Sequence, residues 1–71
     1  MTMVAMRHLS ESHRLAARAE ARADARLGFG IPTAYTLFRA LVGRDWTEYG
    51  DGALAELHLI YVHTRQEAER K

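Results

Sequence analysis

The sequence predicts an all-α fold of three helices, about 10–27, 32–43 and 52–69, arranged as a helical hairpin or small bundle. Three observations carry this reading. Residues 10–27 are rich in alanine, arginine and glutamate, and residues 52–69 in alanine, leucine, glutamate and glutamine, which are strong helix formers. Four of the five glycines and the single proline fall between these stretches, where a chain of helices has to turn. "HLIYVHT" is strand-like by itself, but "ALAEL" before it and "RQEAER" after it extend the segment to a helix's length.

The first helix has Ser10 or Ser12 as its N-cap, and Gly28 and Gly30 end it. At 100° per residue Leu9, Ala16, Ala19, Ala23 and Leu27 share one face, expected to be its packing face. Pro32 suits the first turn of the second helix, because its missing N–H costs nothing there. That helix is apolar almost all round, with Arg39 as its only charge, and Gly43 closes it. "GRDWTEYGDG" has no sustained period and is expected to be mostly a connection. Asp51 then caps the third helix. Its main apolar face runs through Ala53, Leu54, Leu57, Ile60, Tyr61, Thr64 and Ala68, while Ala55, Leu59 and Val62 project on the opposite side.

The 71 residues make one domain, with 1–8 expected as a disordered N-terminal segment. A chain of this size buries only about 60% of the surface it exposes when unfolded. There is no cysteine, so no disulfide reinforces the core. The remaining stabilisers are close helix packing and assembly. Leu59 and Val62, left without an obvious partner, are therefore expected at a homodimer interface. No apolar run approaches the roughly 20 residues that cross a bilayer, and "MTMVAM" is too short for a signal-peptide core. The chain is expected to be cytoplasmic, with no membrane partner.

"RLAARAEARADAR" places Arg14, Arg18, Arg22 and Arg26 four residues apart in a chain of net charge +1. Such a stripe winds slowly around a helix, and Glu11, Glu20 and Asp24 flank it. A solvated flank that keeps an alanine-rich helix soluble explains the ladder; phosphate tracking, or recognition of an acidic protein surface, is the alternative. Residues 1–31 carry five basic and three acidic groups, an asymmetry weaker than that of a typical nucleic-acid-binding domain.

Catalytic equipment is scarce. There is no phosphate-binding loop, nucleophile elbow, zincin helix or calcium-loop spacing. His8 and His13, like His58 and His63, are five residues apart, which spoils chelation from one helix face. The expectation is a non-enzymatic protein that needs no metal and no cofactor.

"ARLGFGIPTAYTLFRAL", residues 25–41, resembles the turn and recognition helix of bacterial helix-turn-helix regulators, with Leu27, Gly28, Phe29, Thr33, Ala34, Tyr35, Leu37 and Phe38 in the characteristic places. The resemblance covers about a quarter of the chain. It implies that Thr33, Tyr35, Thr36 and Arg39 face the major groove. Two features depart from the family pattern. Asp24 stands where a small alanine is usual, a costly charge to bury unless paired, and the reading helix offers one arginine for base edges. The same residues also suit an ordinary corner between two helices.

Trp46 and Tyr49 lie in a polar, glycine-bounded connection beside Arg44, and Trp, Tyr and Arg dominate interface energetics. Alternatively, Trp46 folds back to plug the core. In overall design the chain resembles the short helical inhibitors that bacteriophages and mobile elements direct at host proteins. The expected function is therefore regulation or inhibition of a target protein by direct binding through Tyr35, Arg39, Arg44, Trp46 and Tyr49; helix-turn-helix DNA binding is the alternative.

Overall fold

The computed structural model describes residues 7–70. Three α-helices follow one another: α1 (Glu11–Leu27), α2 (Ala34–Val42) and α3 (Asp51–Ala68), with a 3₁₀ segment, Arg44–Glu48, before α3. Ser10 caps α1. Its hydroxyl accepts the His13 N–H, while the Ser10 N–H donates to His13 Nδ1, a capping box with histidine in the usual place of Glu or Gln. Gly28 ends the helix in the left-handed region at φ 75°, and the Gly28 and Phe29 N–H groups turn back to the Ala25 and Asp24 carbonyls. A side chain at that φ is strained, so glycine is the residue the turn requires.

Three boundaries differ from the sequence reading, each for a local reason. Thr33, not Pro32, starts α2, because its hydroxyl accepts the Thr36 N–H and leaves Pro32 in the turn. The stretch after Gly43 forms a 3₁₀ segment, with the Trp46 and Tyr49 N–H groups donating to the Gly43 and Trp46 carbonyls. Gly50 is the N-cap of α3 and supplies no side chain; Asp51 occupies the first turn, where its charge complements the helix dipole.

The pairs joining α1 to α3 climb both helices together: Arg14 with Glu56, then Asp24 with Tyr61, then Phe29 just past α1 with Arg65. The two long helices therefore run in the same sense, and α2 brings the chain back between them. An up-down-up bundle replaces the simple hairpin alternative. Its core is Leu9, Ala17, Ala21, Leu37, Phe38, Tyr49, Leu57 and Tyr61. The expected α3 face is the buried one. On α1 the buried residues are Ala17, Ala21 and Asp24, not the expected Ala16, Ala19, Ala23 and Leu27; Ala19 and Leu27 are exposed. The packing face is turned by roughly 120° at 100° per residue. Alanine spreads around most of this helix outside its arginine stripe, so its own pattern did not choose a face.

Most of the N-terminal segment expected to be disordered lies outside the described residues. Arg7, its penultimate member, is held: the Arg7 N–H donates to the Glu48 carbonyl at 3.0 Å.

Candidate interaction face

Four of the five residues expected to touch a partner converge where α2 meets the 3₁₀ segment. Tyr35 and Arg39 are one turn apart on the outer side of α2, and both are exposed. Gly43 then swings the chain back at φ 88°, a value suited to glycine, so that Trp46 returns beneath them. The Tyr35 and Trp46 rings meet edge to face at 6.0 Å, and the Arg39 guanidinium lies 5.5 Å from the centre of the Trp46 ring. Trp46 is half-buried, packed against the core below and open above. Of the two expectations for it, core plug and contact residue, the packing accounts for the buried side and leaves the other side in solvent.

Trp46 divides the face into two shallow depressions. On one side Thr36, Arg39, Ala40, Gly43 and Arg44 form a polar, basic hollow against the ring. On the other, Tyr35, Phe38, Tyr49 and Leu54 together with Thr47, Gly50 and Asp51 line a depression of mixed character. Tyr49 is the fifth expected contact residue, and the structure corrects its assignment. It is 8% exposed, and its ring packs edge-on against Phe38 at 5.5 Å and His13 at 5.7 Å. The polar neighbours in sequence concealed this, because the apolar partners of Tyr49 come from α1 and α2.

Charge is sorted across the 3₁₀ segment. Arg7 takes both of its carboxylates, Asp45 at 3.3 Å and Glu48 at 3.2 Å, and covers the Tyr49 ring at 5.1 Å. Hydrogen bonding to Glu48 and the field of Tyr49 raise the Arg7 pKa, so its charge is fixed at any ordinary pH. Among the described residues the ion pairs are made by Arg7, Arg14, Arg18 and Arg65, leaving Arg39 and Arg44 unpaired beside Trp46.

The residues that the helix-turn-helix resemblance assigns to a DNA groove, Thr33, Tyr35, Thr36 and Arg39, are all exposed on or beside α2. The Thr33 hydroxyl is already engaged, donating to Thr36 Oγ1 at 2.9 Å while accepting the Thr36 N–H. Of the two expected dimer contacts, Leu59 is 55% exposed, whereas Val62 is half-buried and packs on the core of its own chain.

A buried polar chain that sequence reasoning missed supports the turn before α2. The Asp24 carboxylate, 8% exposed, accepts the Tyr61 hydroxyl at 2.6 Å, and Arg65 donates to that hydroxyl at 3.0 Å and to the Phe29 carbonyl at 2.6 Å. Glu69 completes the set, accepting from Arg65 at 2.7 Å. Burial, followed by the hydrogen bond to Asp24, raises the Tyr61 pKa. The His58 ring contributes a further tie, its Nε2 lying 3.2 Å from the Pro32 carbonyl oxygen. The Asp24 carboxylate is thus buried with a hydrogen-bond donor in place.

No helix among the described residues is long and apolar enough to cross a membrane. No protein-family model matches the chain, and neither do the curated proteins or the solved structures compared with it.

Proposed function

We propose that this protein acts without catalysis, regulating or inhibiting another protein by docking through the Tyr35–Arg39–Arg44–Trp46 face, and that it works as a cytoplasmic homodimer. The observation supporting this reading is the convergence of one tryptophan, one exposed tyrosine and two unpaired arginines from two elements onto one surface. Trp, Tyr and Arg are the residues most enriched at binding hot spots. Leu59, exposed on α3, is the dimer contact in this reading.

DNA binding is the competing reading, because Thr33, Tyr35, Thr36 and Arg39 belong to the same exposed side. A paired capture from nuclease-treated extract of the native cell separates the two. Wild type retains a partner protein that Trp46→Ala and Arg39→Gln lose while both variants stay folded, and the purified partner then binds directly. Nanomolar binding to a duplex with a steep salt slope, lost in Arg39→Ala, replaces this reading with the DNA one.

A further inference from the structure

We propose that the face recognises a short acidic segment carrying one large apolar side chain, its carboxylates held by Arg39 and Arg44 on one side of Trp46 and its apolar group seated in the aromatic depression on the other. The inference rests on the docking reading above and specifies the chemistry of the partner.

Charge complementarity argues for the acidic part. Arg7 removes Asp45 and Glu48 from competition by pairing with both. Without that clasp, the two carboxylates nearest Trp46 in sequence are free to neutralise Arg39 and Arg44. With it, the basic hollow keeps two guanidinium groups whose N–H donors have no carboxylate among the described residues. A guanidinium stacked on an aromatic face keeps its edge N–H groups free, and those edges match a carboxylate in a two-point fork. The Thr36 hydroxyl at the same hollow adds a polar group for orientation.

The second depression argues for the apolar part. Tyr35 and the half-buried Leu54 give it accessible apolar area over the buried Phe38, and the exposed Tyr35 ring is already fixed by its contact with Trp46. A side chain seated there adds burial to the charge pairing. Nucleic acid fits less well: two arginines neutralise few phosphates, and Asp51 in the lining of the second depression opposes a polyanion. A peptide with its acidic residues on one side of its apolar residue avoids that carboxylate.

Trp46 is the only tryptophan in the chain, so its fluorescence reports on this face alone. The probes are three short blocked peptides of equal length: one with glutamate and aspartate on one side only of a leucine, one with serine in place of that leucine, and one with glutamine and asparagine in place of the acids. The first is expected to shift Trp46 emission saturably, and each of the others to bind at least about tenfold more weakly. Arg39→Gln and Arg44→Gln are each expected to weaken the first peptide by about tenfold, the loss of one charge-assisted hydrogen bond, with melting temperature unchanged. A response to the serine peptide equal to that of the leucine peptide overturns the proposal, as does an equal response to the uncharged one. So does tighter saturable binding of a single-stranded oligonucleotide, or silence with all three peptides. If the peptides fail while capture of the partner still depends on Trp46, the recognition chemistry is wrong and the docking reading stands; if Trp46→Ala retains the partner, the docking reading itself fails.

Discussion

Two aromatic residues three apart in sequence have opposite duties. Tyr49 is walled in by Phe38, His13 and Arg7, whereas Trp46 shows one side to solvent. Truncating a buried aromatic costs about 3–5 kcal/mol, a large share of what so small a domain possesses. Tyr49→Ala is therefore expected to unfold the protein in thermal melts. On the proposed docking reading Trp46→Ala is expected to lose partner binding, with a markedly smaller fall in melting temperature. Tyr61 offers a third residue-scale test. Tyr61→Phe keeps the ring but leaves the Asp24 carboxylate buried without its donor, at a cost of about 1–3 kcal/mol in urea unfolding. The same hydroxyl sets an alkaline limit. Its folded pKa lies above the ordinary value of 10.0, so the folded state keeps a proton that the unfolded chain has begun to release. The contribution of this hydroxyl is accordingly full below pH 10 and is lost as pH rises beyond it, through the folded pKa. Tyr61→Phe is expected to flatten that decline relative to wild type, measured as the free energy of unfolding at successive alkaline pH values.

The four arginines of α1 are not equivalent rungs. Arg14 joins α1 to α3 through Glu56 at 2.9 Å and to Glu11 at 3.5 Å, and Arg18 lies 3.9 Å from Glu11. Arg22 and Arg26 border an open cleft with Thr64, Glu67 and Ala68 of α3 and make no ion pair among the described residues. The expectation that the ladder is structural and solubilising thus divides by position. Arg14→Gln is expected to lower the melting temperature by a few degrees, a difference that disappears near 1 M salt, where the Debye length is about 3 Å. The Arg22→Gln, Arg26→Gln double variant is expected to melt with wild type. The 3₁₀ segment depends on Arg7 in a comparable way, since none of its own residues is fully buried. Arg7→Ala should move Trp46 emission to the red as the segment loosens, and high salt should move wild type in the same direction.

For the whole molecule, the question is what covers the exposed apolar side chains. Leu15, Leu27, Phe29, Ile31 and Leu59 are each at least half exposed, a large share for a core of eight buried apolar residues. Surface of this kind marks association when it is contiguous. Sedimentation equilibrium at micromolar concentration is expected to give a dimer, and Leu59→Asp to reduce it to the 8.1 kDa monomer with its helical circular dichroism intact. Val62→Asp is the contrasting variant. Val62 packs on its own core, so that substitution should unfold the chain in addition to dissociating it. A monomeric wild type removes the dimer from the proposed function and leaves the Trp46 face untouched.

What the sequence determined by itself is what neighbouring residues decide among themselves. Ser10, Gly28 and Gly43 set helix ends through hydrogen bonds and backbone angles that need no distant partner, and the four-residue spacing of Tyr35 and Arg39 put both on one side of α2. The α3 face was legible because leucine, isoleucine and tyrosine mark one side of that helix. Tertiary structure decided the rest, where the local code was degenerate or the partner lay far along the chain. Alanines around most of α1 allowed several packing faces, and Leu57 and Tyr61 opposite, with a hydroxyl ready for Asp24, selected one. Arg65 reads as another surface charge in "RQEAER", yet it is 5% exposed, because one donor reaches the Phe29 carbonyl once α1 and α3 run side by side while another meets the Tyr61 hydroxyl one turn back on its own helix. The same holds for the candidate face: Tyr35, Arg39, Arg44 and Trp46 could be named one at a time, but the reversal at Gly43 brought them together, and Arg7, from the far end of the chain, left their charge unopposed.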